Sequence, residues 1–104
     1  VLKLKEFIIT NQARFVKVSD DEAAVRDLAG FYKTEESGQR LFLITESAMR
    51  EAVQGQDVRS VARELQNRRF LYTNDSNRLR SKHTVRGSRP YFYAVRGSIL
   101  EFEG

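Results

Sequence analysis

The sequence predicts a single α+β domain, in which short amphipathic helices are interspersed with short strands. Apolar residues recur at helical spacing in some segments, while other segments are aromatic or β-branched runs bounded by polar turns. A third observation is that basic residues are concentrated in the second half of the chain. With 104 residues, 40% of them hydrophobic, the chain is long enough for one modest core but too short for a deep catalytic cleft.

The first third of the chain is predicted to form two helices. Asn11 is a suitable end for a first helix, whose apolar positions are Leu4, Phe7 and Ile8. Further on, Ser19 can cap the amide of Glu22, and the Glu22 carboxylate can reach back as in a capping box. This pattern predicts a second helix that ends at Gly30 and buries Ala23, Ala24, Val25 and Leu28.

The middle of the chain is predicted to form a β-hairpin followed by a helix. Two runs rich in aromatic and β-branched residues, 31–34 and 39–44, are separated by a polar turn that contains glycine. Thr45 and Ser47 are both suitable N-caps for the next helix, and Gly55 can supply its left-handed exit. The inward positions of this helix are Ala48, Met49, Ala52 and Val53.

A further helix and a second hairpin are predicted in the last half. Asp57 is a suitable N-cap for a helix with a single apolar stripe formed by Val58, Val61, Ala62 and Leu65. An extended run at 70–72 and a turn at 74–77 then lead to two strands, 79–85 and 90–95, joined by a tight tip. The residues predicted to close the core are Ile99, Leu100 and Phe102.

Basic charge is distributed unevenly along the chain. Residues 1–52 hold eight basic and nine acidic side chains, whereas residues 53–104 hold ten and five. All ten of those basic residues fall within 57–96, which contains only three acids. A net charge of +4 is weak evidence for an anionic partner, because solvated Lys and Arg faces are common. Clustering on one helix and the hairpin after it is a stronger sign of an anionic partner.

The predicted helix after Asp57 presents a polar face suited to nucleic acid. If its apolar stripe is buried, then Arg59, Arg63, Gln66 and Asn67 project together from the opposite face. Arginine can read guanine, glutamine and asparagine can read adenine, and all of them can bind phosphate. The alternative is a solvated face, since these residue types favour helices by themselves.

The predicted hairpin carries five more basic residues. Arg78, Arg80 and Lys82 alternate with other residues and therefore share one strand face, while Arg86 and Arg89 lie at the tip. Such a hairpin can lie along a phosphate backbone. The alternative is an edge strand that its charges protect from aggregation.

A helix, a tight turn, a second helix and a basic hairpin form the pattern of a winged helix-turn-helix, which predicts binding to double-stranded DNA. Two other functions stay open. An exposed apolar patch would indicate a protein interaction or self-assembly module, and the residues considered for it are Phe7, Ile9, Phe31 and Phe42. Tyr91 and Tyr93 could stack on unpaired bases, although alternation points Phe92 inward and core or cross-strand packing is the more common role of strand aromatics.

No catalytic, cofactor or metal site is predicted. The chain has no cysteine and only one histidine, His83, whose pKa neighbouring cations should lower. The acidic cluster at 20–22 falls in the first turn of a predicted helix, where negative charge is stabilising without chemistry. No Walker or Rossmann pattern is present. No apolar run is long enough to span a membrane, so a cytoplasmic protein without a membrane partner is expected.

Short motifs also occur in a fixed order along nearly the whole chain. They are Ala13-Arg14-Phe15, Val25-Arg26, Ala29-Gly30-Phe31, Leu41-Phe42-Leu43-Ile44, Met49-Arg50-Glu51-Ala52-Val53, Val61-Ala62-Arg63-Glu64-Leu65, Phe70-Leu71 and Ile99-Leu100. This order resembles the C-terminal module of large helicase/primase-like ATPases carried by prophages and integrative conjugative elements, a family of largely unknown function. The chain departs from it at Asn11-Gln12-Ala13, where the family often has His-Gly, and at Arg69, where it often has Gly.

The resemblance implies an accessory module of a mobile-element replication or transfer protein. Its partners would be DNA and the ATPase or helicase part of the same polypeptide, which would lie upstream of this segment. The chain begins at Val1 rather than Met, in keeping with the prediction that residues 1–104 are one domain of a longer protein. The choice between DNA and RNA, sequence specificity and self-assembly stay open.

Overall fold

A mixed β-sheet of six short strands organises the fold, and three α-helices pack against one of its faces. The computed structural model describes all 104 residues. In chain order the elements are α1 (Leu2–Thr10), β1 (Phe15–Lys17), β2 (Gly30–Thr34), β3 (Arg40–Ile44), α2 (Glu46–Val53), α3 (Val58–Asn67), β4 (Leu71–Tyr72), β5 (Ser81–Lys82) and β6 (Tyr91–Arg96). Short 3₁₀ turns follow α1 and β6. The predicted α+β class is confirmed.

The strands are arranged in the order β1-β2-β3-β6-β4, and β5 pairs with β6 beside this path. The β1–β2 pair is parallel, whereas all other pairs are antiparallel. The predicted hairpin of 31–34 and 39–44 is confirmed as β2–β3. β6 pairs with three strands, and its residues from Phe92 to Val95 are buried.

The sheet separates two apolar clusters. The larger one has 18 buried residues and lies between the sheet and the helices, with contributions such as Leu4, Met49, Leu65 and Ile99. The smaller one has seven, among them Phe31, Leu43 and Phe92, on the other face. We call these two sides of the sheet the helix face and the loop face.

Local signals place the helices correctly. The Thr45 hydroxyl accepts a hydrogen bond from the amide of Ala48 (3.1 Å), and the Asp57 carboxylate accepts one from the amide of Ser60 (3.1 Å). These are the N-caps of α2 and α3. At the end of α2, Gln54 adopts the left-handed conformation, one residue before Gly55, where the exit was predicted.

The helix predicted to end at Gly30 is wrong, because residues 18–29 form an irregular crossover. Parallel strands need a connection of about a dozen residues, and here it crosses the loop face without regular structure. The side chain of Asp20 accepts from the amides of Glu22 (3.2 Å) and Ala23 (3.1 Å), forming a turn in place of the capping box. Asp27 adopts a left-handed φ of 56°, which a helix cannot contain.

The second end of the crossover is held by contacts with other elements. Arg14 donates to the carbonyl of Asp27 (2.6 Å) and forms an ion pair with Glu51 of α2 (2.7 Å). Gly30 then enters β2 so close to β3 that a Cβ atom would lie 1.9 Å from the carbonyl oxygen of Leu43. Glycine is therefore required here for strand packing, not for ending a helix.

The predicted strand 79–85 is shortened to the two residues of β5. Tyr72 of β4 already pairs with Ala94 of β6, which would be the partner of Leu79 in the β5 register, and β3 occupies the other edge of β6. Toward the tip, Pro90 has no amide hydrogen, so the ladder cannot continue regularly beyond Tyr91. The hairpin itself is confirmed, since β5 pairs with β6.

Candidate nucleic-acid interface

A groove of about 950 Å³ opens between the α2–α3 connection and the β5–β6 hairpin. Four arginines line it, and its two acidic residues are Glu46 and Asp57. Two of the arginines come from the helices and two from the segment before β5: Arg50, Arg59, Arg78 and Arg80. The groove therefore has an excess of positive charge drawn from segments that are distant in the sequence.

Arg59 reaches the groove because α3 begins beside it. Asp57 caps this helix and also accepts from the hydroxyl of Ser60 at 2.7 Å, which places Arg59 in the first turn. Hydrogen bonds from Ser60 lower the pKa of Asp57 below its usual value. The Asp57 carboxylate is therefore ionised and committed to the cap, and it makes the helix N-terminus itself unsuitable for an external anion.

Glu46 is shared by two arginines of the groove. One carboxylate oxygen lies 3.3 Å from Arg50 and the other 3.8 Å from Arg80. All three side chains are exposed, and ion pairs of this kind contribute little to stability. The two guanidinium groups can therefore turn toward a ligand without a large loss of free energy of folding.

Tyr91 carries a cluster of three cations at the edge of the groove. An Arg78 nitrogen lies 3.4 Å from its hydroxyl, the Arg80 guanidinium carbon is 5.5 Å from its ring centroid and the Lys82 Nζ is 5.2 Å from it. Lys82 is the cross-strand partner of Tyr91. The prediction that Arg78, Arg80 and Lys82 share one face is consistent with this convergence. The phenol ring is 41% exposed.

Tyr93 lines the floor of the same groove but is only 7% exposed. Burial raises the pKa of its hydroxyl, and the carboxylate of Glu46 adds to this, whereas the nearby arginines oppose it. Phe92 is buried too, on the loop face. Alternation along β6 predicts the direction of each ring correctly, but both faces of this strand are covered, so Tyr93 belongs to the core.

The rest of the polar face of α3 is engaged with its neighbours. An Arg63 nitrogen donates to the side-chain oxygen of Gln66 (3.3 Å), and Gln66 donates to the carbonyl of Ser76 (3.0 Å). Arg63 and Gln66 are half-buried, and Asn67 is exposed at the end of the helix. Of the four predicted contact residues on α3, Arg59 alone lines the groove.

The tip of the hairpin lies away from the groove, toward the loop face. Arg86 donates to the carbonyl of Ala23 (2.6 Å), and its guanidinium carbon is 5.5 Å from the ring centroid of Phe31. Arg89 is exposed and has no hydrogen bond or ion pair within the chain. The structure thus divides the nine predicted residues between at least two surfaces.

His83 is buried on the loop face and serves as part of the core. Its Nδ1 lies 3.2 Å from the Lys33 ammonium and its Nε2 2.7 Å from the Ser81 hydroxyl. Because ammonium can only donate, Nδ1 accepts and the proton is on Nε2. Burial, and then Lys33 and Arg89, lower the pKa of His83 to about 4. The predicted direction is confirmed, but burial is the main cause.

Sequence reasoning missed Arg50 as a member of the site. It lies four residues after Glu46 on α2 and looks like half of an ordinary surface ion pair. The only signal was its helical phase, which does not reveal that the β5–β6 hairpin lies beside that face.

Comparisons with known proteins do not identify a family for this chain. No protein-family model matches the chain, and a search of curated proteins found no match. The resemblance to mobile-element ATPases stays a prediction from the motifs. In the fold, no helix has the length and apolar character to cross a membrane, and no three His, Asp or Glu residues are grouped as metal ligands.

Proposed function

We propose that this domain binds nucleic acid through the groove between the α2–α3 connection and the β5–β6 hairpin. The observation that carries the proposal is the meeting of Arg59 with Arg78 and Arg80 in one concave surface beside the exposed ring of Tyr91. Phosphate groups bound there would release counterions, which is the main source of affinity in such complexes. Arg50 adds a fourth cation.

The sequence predicts double-stranded DNA as the ligand, read by α3 as in a winged helix-turn-helix. The order α2, turn, α3 and basic hairpin supports this form of the proposal. The contacts of Arg63 and Gln66 favour phosphate binding over base reading, because their hydrogen-bonding groups have partners within the domain. By its resemblance, the domain would serve as an accessory module of a mobile-element helicase or primase.

Fluorescence anisotropy with a labelled duplex over a range of salt concentrations tests the proposal. The double variant Arg59→Ala/Arg80→Ala removes two phosphate contacts, so the slope of log K against log salt should fall by roughly 2. Lys17→Ala/Arg26→Ala removes the same charge from exposed positions outside the groove and is the matched control. Equal slopes for the two variants would reject the groove as the binding surface, and absence of duplex binding at low salt would reject double-stranded DNA as its ligand.

A protein-interaction role is the second candidate function. The patch considered from the sequence does not form, because Phe7, Phe31 and Phe42 are buried. Ile9 is nevertheless 47% exposed and Leu2 46% exposed, and seven residues apart they share one face of α1. If this face mediates self-assembly, light scattering should detect a dimer that Ile9→Glu converts to a monomer.

A further inference from the structure

From the surroundings of Tyr91 we infer that the groove takes single-stranded nucleic acid, with one unpaired base stacked on this ring. The inference rests on the proposed function and names its substrate class. Every base has a π-face, and stacking on an aromatic side chain is a common way to hold an unpaired strand. Arg78, Arg80 and Lys82 would bind the phosphates on either side of the stacked base.

Tyr91 is the only large aromatic side chain that the fold leaves exposed. The other large exposed apolar residues, Leu2 and Ile9, are aliphatic and belong to α1. A strand aromatic usually packs on a neighbouring residue or the core, as Phe92 and Tyr93 do. Tyr91 precedes them on the same strand, but no apolar cluster of the fold includes it. Its ring is instead surrounded by cations at the margin of a groove.

The cations around this ring suit a nucleotide better than an apolar partner. Three positive side chains converge on one phenol group. The one carboxylate among them is that of Glu46, which lies 3.8 Å from Arg80. Their mutual repulsion is only partly offset by the ring's electron-rich face. A single strand of nucleic acid supplies a base that can stack on the ring and phosphates that can pair with the cations. An acidic peptide supplies negative charge without a stacking surface.

An unpaired strand also fits the surroundings better than a duplex. Bases within a duplex are stacked on each other and cannot present their faces to a side chain, whereas a single strand can splay one base outward. The turn at residues 74–77 accepts a hydrogen bond from Gln66, which itself accepts one from Arg63, so these two side chains already have partners and are poorly placed to read bases in a major groove. Arg59 and Arg50 line the same groove from the helices, where they can bind further phosphates of the strand.

The first experiment varies the ligand and leaves the protein intact. Anisotropy titrations compare a short single-stranded DNA, an abasic strand with the same number of phosphates, the matching RNA and the matching duplex. Base stacking is worth roughly 1–3 kcal/mol, or about 5- to 150-fold in affinity, so the single strand should bind at least about 5-fold more tightly than the abasic strand. The RNA should show a similar gain, because stacking does not depend on the sugar.

The second experiment assigns the gain to Tyr91. Tyr91→Ala should lower the affinity for the single strand to that for the abasic strand and leave abasic binding unchanged, while Tyr91→Phe should retain the gain. Thermal melting of each variant tests whether the fold and its hairpin stay intact, since Tyr91 pairs with Lys82. Even if Tyr91→Ala unfolds, the comparison of ligands on the wild type still shows whether an unpaired base contributes to binding.

The outcomes separate this inference from the proposed function. Equal affinity for the intact and abasic strands, tighter binding of the duplex, or equal weakening of all ligands by Tyr91→Ala would overturn single-strand stacking. If Arg59→Ala/Arg80→Ala still weakens binding in those cases, the groove binds nucleic acid through phosphates alone. If no oligonucleotide binds at low salt, both proposals are wrong.

Discussion

The two faces of the sheet are covered in different ways. On the helix face, α1, α2 and α3 bury 18 residues in one cluster, and every helix shows its apolar stripe in the sequence. On the loop face, an irregular crossover and the hairpin tip cover only seven, together with the buried polar residues Ser81 and His83. One face is thus held by regular secondary structure, and the other by individual side-chain contacts.

The same division applies to the basic residues. Arg59, Arg78 and Arg80 line the groove on the helix side, where Arg78 and Arg80 make only surface contacts with Tyr91 and Glu46. Arg86, in contrast, is used to fix the crossover to the hairpin. Clustering of charge in a sequence therefore does not distinguish cations that line the groove from cations that hold the fold together. Three measurements test this difference between the two faces.

Matched leucines test whether the helix face is packed more rigidly. Leu65→Ala on the helix face should lower the free energy of unfolding by about 3 kcal/mol, and Leu41→Ala on the loop face by about 2 kcal/mol. Both side chains are buried, but the irregular cover above Leu41 can collapse into the space, so a smaller cavity remains. Urea denaturation measures the difference. Equal losses, or a larger loss for Leu41→Ala, would show that the loop cover is as rigid as the helices.

His83 should make the loop face sensitive to acid. Its pKa is about 4 in the fold and about 6.5 in the unfolded chain. As pH falls below 6.5 the unfolded chain takes up the proton first, so stability present at neutral pH is lost progressively down to pH 4. Between pH 7 and 5 the loss should be about 2 kcal/mol.

The variant His83→Gln provides the control for this pH effect. Its amide oxygen can accept from Lys33 and its amide nitrogen can donate to Ser81, but the group does not titrate in this range. Urea denaturation of both proteins at the two pH values cancels the contribution of the carboxylates. If the wild type and His83→Gln lose the same stability, the histidine is not buried in the neutral form described above.

Arg86 and Arg89 test the fixing of the crossover. Arg86→Ala removes the hydrogen bond to Ala23 and the contact with Phe31, and should lower the free energy of unfolding by about 1 kcal/mol. Arg89→Ala removes an equal charge from an exposed position nearby and should change the free energy of unfolding by less than about 0.5 kcal/mol. Amide hydrogen exchange should increase within residues 18–29 for Arg86→Ala only. Identical exchange in the two variants would mean that Arg86 does not hold the crossover.

Much of the fold could be predicted because its signals are local. Thr45 and Asp57 cap their helices through hydrogen bonds to residues three positions away, and alternation gives the direction of Phe92 and Lys82. The prediction failed between Ser19 and Gly30, where the Asp20 side chain forms a turn in place of the Ser19 cap and Arg14 and Arg86 hold the segment through Asp27 and Ala23. A helix of such a short segment would also leave much of the loop face uncovered.

The candidate site was predictable only in part. A period of two predicted that Arg78, Arg80 and Lys82 lie together, and all three do contact Tyr91 although only Lys82 belongs to a strand. The place of Arg59 follows from the phase of α3. The place of Arg50 in the groove could not be predicted, because it depends on where the hairpin lies. The contacts of Arg63 and Gln66 could not be predicted either, because they depend on where the 74–77 turn lies.

Local patterns in the sequence predict the three helices, the two hairpins and the excess of basic residues around the second hairpin. These follow from spacing, capping and turn chemistry within a few residues. Three features follow from the fold and not from local patterns: the course of residues 18–29, the length of β5 and the separation of Arg59, Arg78 and Arg80 from Arg86. Those outcomes depend on competition for the edges of β6 and for the two faces of the sheet, which involves residues far apart in the chain.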